Sequence, residues 1–351
     1  MPDESSVKRI HNLYGHGASV TCIAFSPDSK WLASASWDNH VRIRDVKTGN
    51  ELKRLVGHAK GVNCIAFSPD GKLLASGSSD CSVRIWNLET GLPSSTIQGH
   101  QVSHNDSVKA VAFSPDGKWL AAALIDGKAK MWHVEQATGQ LAEAKTLNLL
   151  EKGCLLGYSS MFTSLAFSWS DKTLASASRD HTVRLWDVDT GRYVHMLDGH
   201  GAGVTAVTFS PDGKWLASAS RDRTVRLWGG VPEPPRRKLE ICARGVEPVC
   251  VLEDRTRPSS EFRNRAAASR IITGHTDAVL SVAFSSNSIF LASASLDHTV
   301  RLWNLNSGEM MKLEGHGAGV SSVAFSHYGH YLASASFDGT VVLWDVSKVS
   351  L

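Results

Sequence analysis

No apolar run in the sequence approaches the roughly 18 residues a membrane-spanning helix needs, which argues against a membrane span. Net charge is nearly absent, +3 over 351 residues, too little to argue by itself for a nucleic-acid or membrane partner. The six cysteines lack CxxC spacing, so neither a zinc site nor a disulfide framework is expected, and free thiols of a reducing cytoplasm or nucleus are. The start, MPDESSVKRI, is polar and carries acids, unlike a secretory signal or transit peptide. There is no HExxH and no carboxylate cluster, so no metal is expected. The glycines of Gly199–Val204 and Gly315–Val320 are followed by neither Lys-Ser, Lys-Thr nor a helix, which a phosphate cradle needs, so no cofactor is expected. No stretch shows a sustained helical period.

What the sequence does contain is a repeat. Gly-His, a short gap, a Val-led apolar segment ending Phe-Ser-Pro-Asp, then Leu-Ala-Ser-Ala-Ser-x-Asp and Val-Arg-Leu-Trp-Asp recur along the chain. Phe25, Phe67, Phe113, Phe167, Phe209, Phe284 and Phe325 mark one point of it seven times, and Asp38, Asp80, Asp126, Asp180, Asp222, Asp297 and Asp338 another. Gly15 to Gly57 spans 42 residues, as does Gly57 to Gly99. Each unit reads as four short strands, in the first repeat Val20 to Phe25, Trp31 to Ser36, Val41 to Asp45 and Glu51 to Leu55. Ser-Pro-Asp-Gly, as at Ser68 to Gly71, is turn chemistry, since Pro fixes φ and Gly permits positive φ. One such sheet cannot bury both faces. Packing sheets face to face around an axis does, with small Ala and Ser where they converge.

These units resemble WD repeats, named for a Trp-Asp pair seen at Trp186-Asp187 and Trp344-Asp345. The resemblance covers nearly the whole chain. It implies an all-β fold, a seven-bladed propeller of four-stranded antiparallel blades, closed by an N-terminal strand near 7–13 that completes the last blade. The repeats run near 15–56, 57–98, 99–156, 157–198, 199–273, 274–314 and 315–351.

Some repeats depart from the pattern. The first has Arg44 in place of Trp. The third has four extra residues after Gly99-His100, which makes His104 an alternative structural histidine, and reads Ala121-Ala122-Ala123 where others carry serine. The fourth has Gly157-Tyr158 in place of Gly-His. These blades are expected to be less rigid. The largest departure is a Pro- and Arg-containing insertion at 229–268, roughly 33 residues longer than a normal connection. It reads first as a solvated insertion, with a basic docking loop and coding sequence absent from the mature protein as the alternatives.

Four repeats bring together His, Ser, Asp and Trp: His58, Ser76, Asp80 and Trp86; His200, Ser218, Asp222 and Trp228; His275, Ser293, Asp297 and Trp303; His316, Ser334, Asp338 and Trp344. A Ser, His and Asp set invites a hydrolase reading. An active site is needed once, however, and this set recurs, each time with a Trp whose N–H must be paired when buried. The resemblance implies a hydrogen-bonded chain from Trp through Ser and His to Asp that locks each blade. No catalytic residue is assigned and an enzyme is not expected.

By the same resemblance, binding is expected across one end of the propeller. Exposed there would be the residue before each landmark Asp, including Trp37, Arg179, Arg221, Leu296 and Phe337, and the residue after each first-strand Val, including Lys109 and Leu280. Leu296, Phe337 and Trp37 fall in repeats that adjoin once the ring closes, beside the arginines of repeats four and five. An apolar sector beside a basic one suits a peptide with a hydrophobic anchor and acidic neighbours. The expected role is a non-catalytic scaffold binding peptides or partner proteins within a complex, as a monomeric propeller without a small-molecule substrate, in the cytoplasm or the nucleus. A chromatin- or RNA-associated subunit and a ubiquitin-ligase substrate receptor are the alternatives.

Overall fold

The structure, a computed structural model, describes residues 7–98, 107–124, 127–135, 140–148, 161–230 and 269–349. Gly99, His100, His104, Ile125, Asp126, Gly157, Tyr158 and most of the insertion, 231–268, lie outside the described residues.

Strands and no helix are found among these residues. They form seven four-stranded antiparallel sheets arranged as the blades of a propeller. Blade 1 comprises Val20–Phe25, Trp31–Ser36, Val41–Asp45 and Glu51–Leu55. The first strands of blades 2 to 7 begin at Val62, Val108, Phe162, Val204, Val279 and Val320. Lys8–Leu13 pairs antiparallel with Val341–Asp345, Leu13 opposite Val341, so the N-terminal strand completes blade 7 and closes the ring. Closure joins the first and last blades, and each blade keeps only a short outer edge strand, such as Glu51–Leu55 in blade 1.

Burial follows from face-to-face packing. Second strands such as Trp31–Ser36 are buried almost throughout, on both faces, because a neighbouring blade covers each side. Ala33, Ala35 and Ile43 of blade 1 share one apolar cluster with Val62, Ile65, Leu74 and Trp86 of blade 2. Each fully buried Leu or Ile of this kind contributes about 1.5–3 kcal/mol. Cys22, Cys64 and Cys81 are free thiols, Cys64 buried in the cluster between blades 2 and 3.

Antiparallel strands divide the loops between two ends. The upper end gathers the Gly-His loops and the turns carrying the landmark aspartates. The lower end gathers the Ser-Pro-Asp-Gly turns. Two local irregularities, one at each end, tie blades to one another. In every blade the first and second strands slip register once, as between Val20 and Cys22, leaving Thr21, Asn63, Lys109, Thr163, Thr205, Leu280 and Ser321 as bulge residues at the upper end. A bulge re-aims the side chain that an alternating strand would otherwise place. At the lower end, the turn position that takes positive φ is Gly in blades 2, 3, 5 and 7 but Ser29, Asp171 and Ser288 in the others. Those three side chains accept a backbone N–H from the preceding blade: Asp171 Oδ1 from Asp116 at 3.1 Å, Ser288 Oγ from Asp212 at 3.1 Å, and Ser29 Oγ from Tyr328 at 3.3 Å. The inter-blade bond offsets the backbone strain of a non-Gly residue at this position.

In blade 5 the third strand Val225–Gly229 pairs with Ser269–Ile272, Trp228 opposite Ser269. The insertion therefore interrupts the turn between third and fourth strands without displacing either.

Candidate interaction face

The His, Ser, Asp and Trp side chains named from the sequence converge in blades 2, 5, 6 and 7. In blade 2, Trp86 Nε1 donates to Ser76 Oγ at 2.8 Å, His58 Nε2 lies 2.7 Å from that oxygen, and His58 Nδ1 lies 2.8 Å from Asp80 Oδ2. Blade 5 repeats this with Trp228, Ser218, His200 and Asp222, all three contacts at 2.8 Å. Blade 6 has Trp303, Ser293, His275 and Asp297 at 2.9, 2.8 and 2.7 Å. Blade 7 has Trp344, Ser334, His316 and Asp338 at 3.0, 2.8 and 3.3 Å. The carboxylate can only accept, so His Nδ1 carries the proton and the neutral ring's Nε2 accepts from the serine hydroxyl. Proton donation thus runs one way, from indole to serine to imidazole to carboxylate. A serine nucleophile would need that hydroxyl free to attack. Here it is buried and already both donates and accepts.

Electrostatics follow from burial. Burial pushes His200, His275 and His316 below the usual imidazole range, outweighing the raising effect of the aspartate each one faces. Burial alone would push the aspartates up. Hydrogen bonds from Thr224 and His200 overcome it and hold Asp222 down at about 2, and those from Thr299 and His275 do the same for Asp297.

Two partial sets escaped the sequence reading. In blade 1 His16 lies 2.9 Å from Ser34 Oγ and 2.8 Å from Asp38 Oδ2, although Arg44 replaces the tryptophan. Buried Arg44 donates instead to the Tyr14 carbonyl and lies 3.7 Å from Glu51. In blade 4 Trp186 donates to Ser176 at 2.9 Å, while Arg184 Nη2 lies 2.7 Å from Asp180 Oδ2 as an ion pair. The spacing of 18 and 22 residues from the histidine to its serine and aspartate, shared with the other blades, could have found the set in blade 1.

The upper end carries the residues expected to bind. Trp37 is 54% exposed, and its ring centroid lies 6.2 Å from that of Phe337. Leu296 and Phe337, both half-buried, meet over Gly319, where a β-carbon would stand 2.7 Å from Leu296 Cδ2 and 3.4 Å from Phe337 Cδ2. Leu296, Phe337 and Trp37 therefore form one ridge across blades 6, 7 and 1. Trp37 continues it onto blade 2, lying against Gly61. Arg179 and Arg221 are exposed on blades 4 and 5. Neither guanidinium has a hydrogen-bonding or ionic partner among the described residues.

The bulge positions are placed otherwise than the sequence suggested. They are half-buried, and five of them point into the joint with the next blade. Thr21 Oγ1 donates to the Val62 carbonyl at 2.7 Å, Asn63 Nδ2 to Val108 at 2.8 Å, and Thr163, Thr205 and Ser321 donate to Val204, Val279 and Val20 at 2.6 Å each. Lys109 and Leu280 occupy the same position without making that bond. Burial, and then the charge of Arg179, push Lys109 below the usual lysine range.

Seven four-stranded blades closed into a ring define a β-propeller, with apolar and basic residues side by side on its upper end. The chain belongs to the WD-repeat family: the profile described as "WD domain, G-beta repeat" matches residues 7–45, 49–87, 91–133, 151–187, 191–229, 268–304 and 308–345. Among curated relatives, it is 43% identical over 47 residues to "Mitochondrial division protein 1" of Aspergillus clavatus, covering 13% of this chain and 7% of that protein. It is 40% identical over 50 residues to "Protein tipD" of Dictyostelium discoideum, 14% and 8% of the two chains. It is 54% identical over 39 residues to "Cross-pathway control WD-repeat protein 2" of Flammulina velutipes, 11% and 12%. The matches thus span about a tenth of those relatives' lengths, roughly one blade.

Proposed function

We propose that this propeller is a non-catalytic scaffold that binds a peptide segment of a partner protein on its upper end. The observation that carries the reading is the Leu296, Phe337 and Trp37 ridge lying in one ring with Arg179 and Arg221, exposed and without an ionic partner among the described residues. An exposed tryptophan whose ring lies tilted against a second ring, centroids 6.2 Å apart, offers an apolar anchor of the kind that dominates interface energies once a partner covers it. Exposed guanidinium groups nearby favour a carboxylate on the same ligand and set its orientation. The one-blade similarity to the curated relatives supports the fold and leaves the partner to this chain's own loops. We further propose that it acts in the cytoplasm or nucleus, a reading that the free thiols support.

The test compares proteins co-purifying with the intact chain and with a Trp37→Ala, Arg221→Glu variant shown to be folded by circular dichroism. Selective loss of one partner is expected. An unchanged set of partners rules out this face. Salt-sensitive retention of RNA by the intact chain would favour the nucleic-acid alternative instead.

A further inference from the structure

The lower ends of the blades serve as internal controls for one another, and two of them stand apart. Blades 1, 2, 3 and 5 carry Ser-Pro-Asp-x-Lys between first and second strands, and blade 4 carries Ser168-Trp169-Ser170-Asp171-Lys172. Blade 6 reads Ser285-Ser286-Asn287-Ser288-Ile289 and blade 7 reads Ser326-His327-Tyr328-Gly329-His330. The carboxylate and ammonium present in the five other turns are missing from both.

Turn geometry did not require this loss. In blade 2, Ser68 Oγ donates to Asp70 Oδ1 at 2.6 Å and Lys72 N to the same oxygen at 3.1 Å. In blade 6, Ser285 Oγ and Ile289 N make the same two bonds to Asn287 Oδ1, at 2.6 and 3.0 Å. The structural task of the aspartate is kept and its charge removed. In blade 7 Tyr328 takes the aspartate's place. It is 66% exposed, and its backbone N–H is held by Ser29 of blade 1, so an anchored backbone displays the ring.

A cleft opens where the two uncharged turns meet. Its floor is Phe290, Leu302, Phe325, Val346 and Val349, its rim includes Ser286 and Tyr328, and it holds about 120 Å³. The equivalent place between blades 2 and 3, lined by Leu73, Phe113 and Val134, holds about 10 Å³ and has Asp70 on its rim. An apolar cavity of about 150 Å³ is enough to take up benzene, so the larger cleft suits one aliphatic side chain and the smaller suits none. Ser286, exposed and without a side-chain hydrogen bond among the described residues, can meet a ligand amide at the rim.

We propose that the lower end of the joint between blades 6 and 7 is a second docking site, for a partner-protein segment that inserts one uncharged aliphatic side chain. It stands independently of the upper-end reading. An apolar floor, an exposed aromatic rim and the local removal of charge together match the composition of interface cores. A charged segment is disfavoured because none of the described residues lining the cleft is an acid or a base that would pair its charge as the cleft desolvates it.

The test uses the intact chain with labelled Leu and Val methyl groups, titrated with N-acetyl-leucine N-methylamide and followed by NMR. Saturable shifts are expected at Leu302, Val346 and Val349 and not at Val134, with little response to the aspartate or lysine analogue. His327→Pro, Tyr328→Asp, His330→Lys, which rewrites this turn as that of blades 2, 3 and 5, should weaken binding at least tenfold. Asn287→Asp, which keeps the turn's hydrogen bonds, should act in the same direction if the triple variant does not fold. Equal shifts at Val134, equal response to the charged probes, or unchanged binding in both variants overturns the proposal. A dimer of the chain that the variants abolish assigns the cleft to a second copy, and binding seen only after removal of Ser350 and Leu351 assigns it to the chain's own end. Either result also overturns it.

Discussion

Thr21 of blade 1 donates its side-chain hydroxyl to the main-chain carbonyl of Val62 in blade 2, 2.7 Å away. A strand residue reaches sideways in this way because it is a bulge. Freed from the ladder, it turns from its own sheet to the next. Repetition at blades 2, 4, 5 and 7 makes the ring of first strands a cross-linked hub. The joints after Lys109 and Leu280 lack this bond.

Removing one such bond should be measurable and local. Thr205→Val keeps the shape and deletes the donor to the Val279 carbonyl. It should cost about 1 kcal/mol in urea denaturation. Thr208→Val, in the same strand, should cost clearly less. Equal losses would show that the inter-blade bond contributes nothing of its own.

The serine of each His-Ser-Trp set is the hub of two bonds. Ser218→Ala leaves both the Trp228 N–H and His200 Nε2 without their partner. A loss of about 2–4 kcal/mol is expected, with blade 5 amides exchanging before the rest in hydrogen-exchange measurements. A loss under about 1 kcal/mol would mean that water replaces the serine.

Acid should act in two stages. His16, His200, His275 and His316 lie below 6.5 in the folded protein because of burial, against the raising effect of their aspartates. The unfolded chain therefore takes up protons first, and stability begins to fall as pH drops below about 6.5. For Asp222 and Asp297, burial raises and hydrogen bonds lower, with a net position at about 2 against an ordinary 3.8. Their contribution is full above 3.8 and is lost as pH falls from there through about 2. Urea midpoints measured from pH 8 to pH 3 should decline below 6.5 and steepen below about 4. Imidazole NMR signals that titrate at 6.5 or above in the folded protein would refute the first stage.

Gly61 offers a way to disturb the upper ridge without touching it. A methyl there would stand 2.7 Å from Trp37 Cδ1 and 3.1 Å from its Cα. Gly61→Ala should shift the indole, change its fluorescence and weaken partner binding roughly tenfold. Gly317→Ala, whose methyl would lie 3.9 Å from Asp338, should do neither.

The strands were legible because the Phe, Leu and Asp landmarks recur seven times, supported by Ser-Pro-Asp-Gly turns in blades 2, 3 and 5 and by the 42-residue spacing of Gly15, Gly57 and Gly99. Val20 to Phe25, Trp31 to Ser36, Val41 to Asp45 and Glu51 to Leu55 are strands with those bounds in the structure. His16 was passed over because Arg44 broke the pattern twenty-eight residues later, although its serine and aspartate stand at the shared spacing. The bulge positions were read as exposed because sequence spacing carries no information about a register slip that forms only when two strands pair.

Sequence by itself determined the repeat, the blade and the residues of each hydrogen-bonded set, since these depend on local periodicity and on side chains a fixed number of residues apart. Tertiary structure decided which surfaces meet. Only ring closure sets Trp37 beside Phe337, 300 residues away in the chain. Only the packing of blades 6 and 7 leaves a cleft of about 120 Å³ where blades 2 and 3 leave about 10 Å³. Both are properties of packing between sheets, and the spacing of residues along one chain does not encode the distance between two of its surfaces.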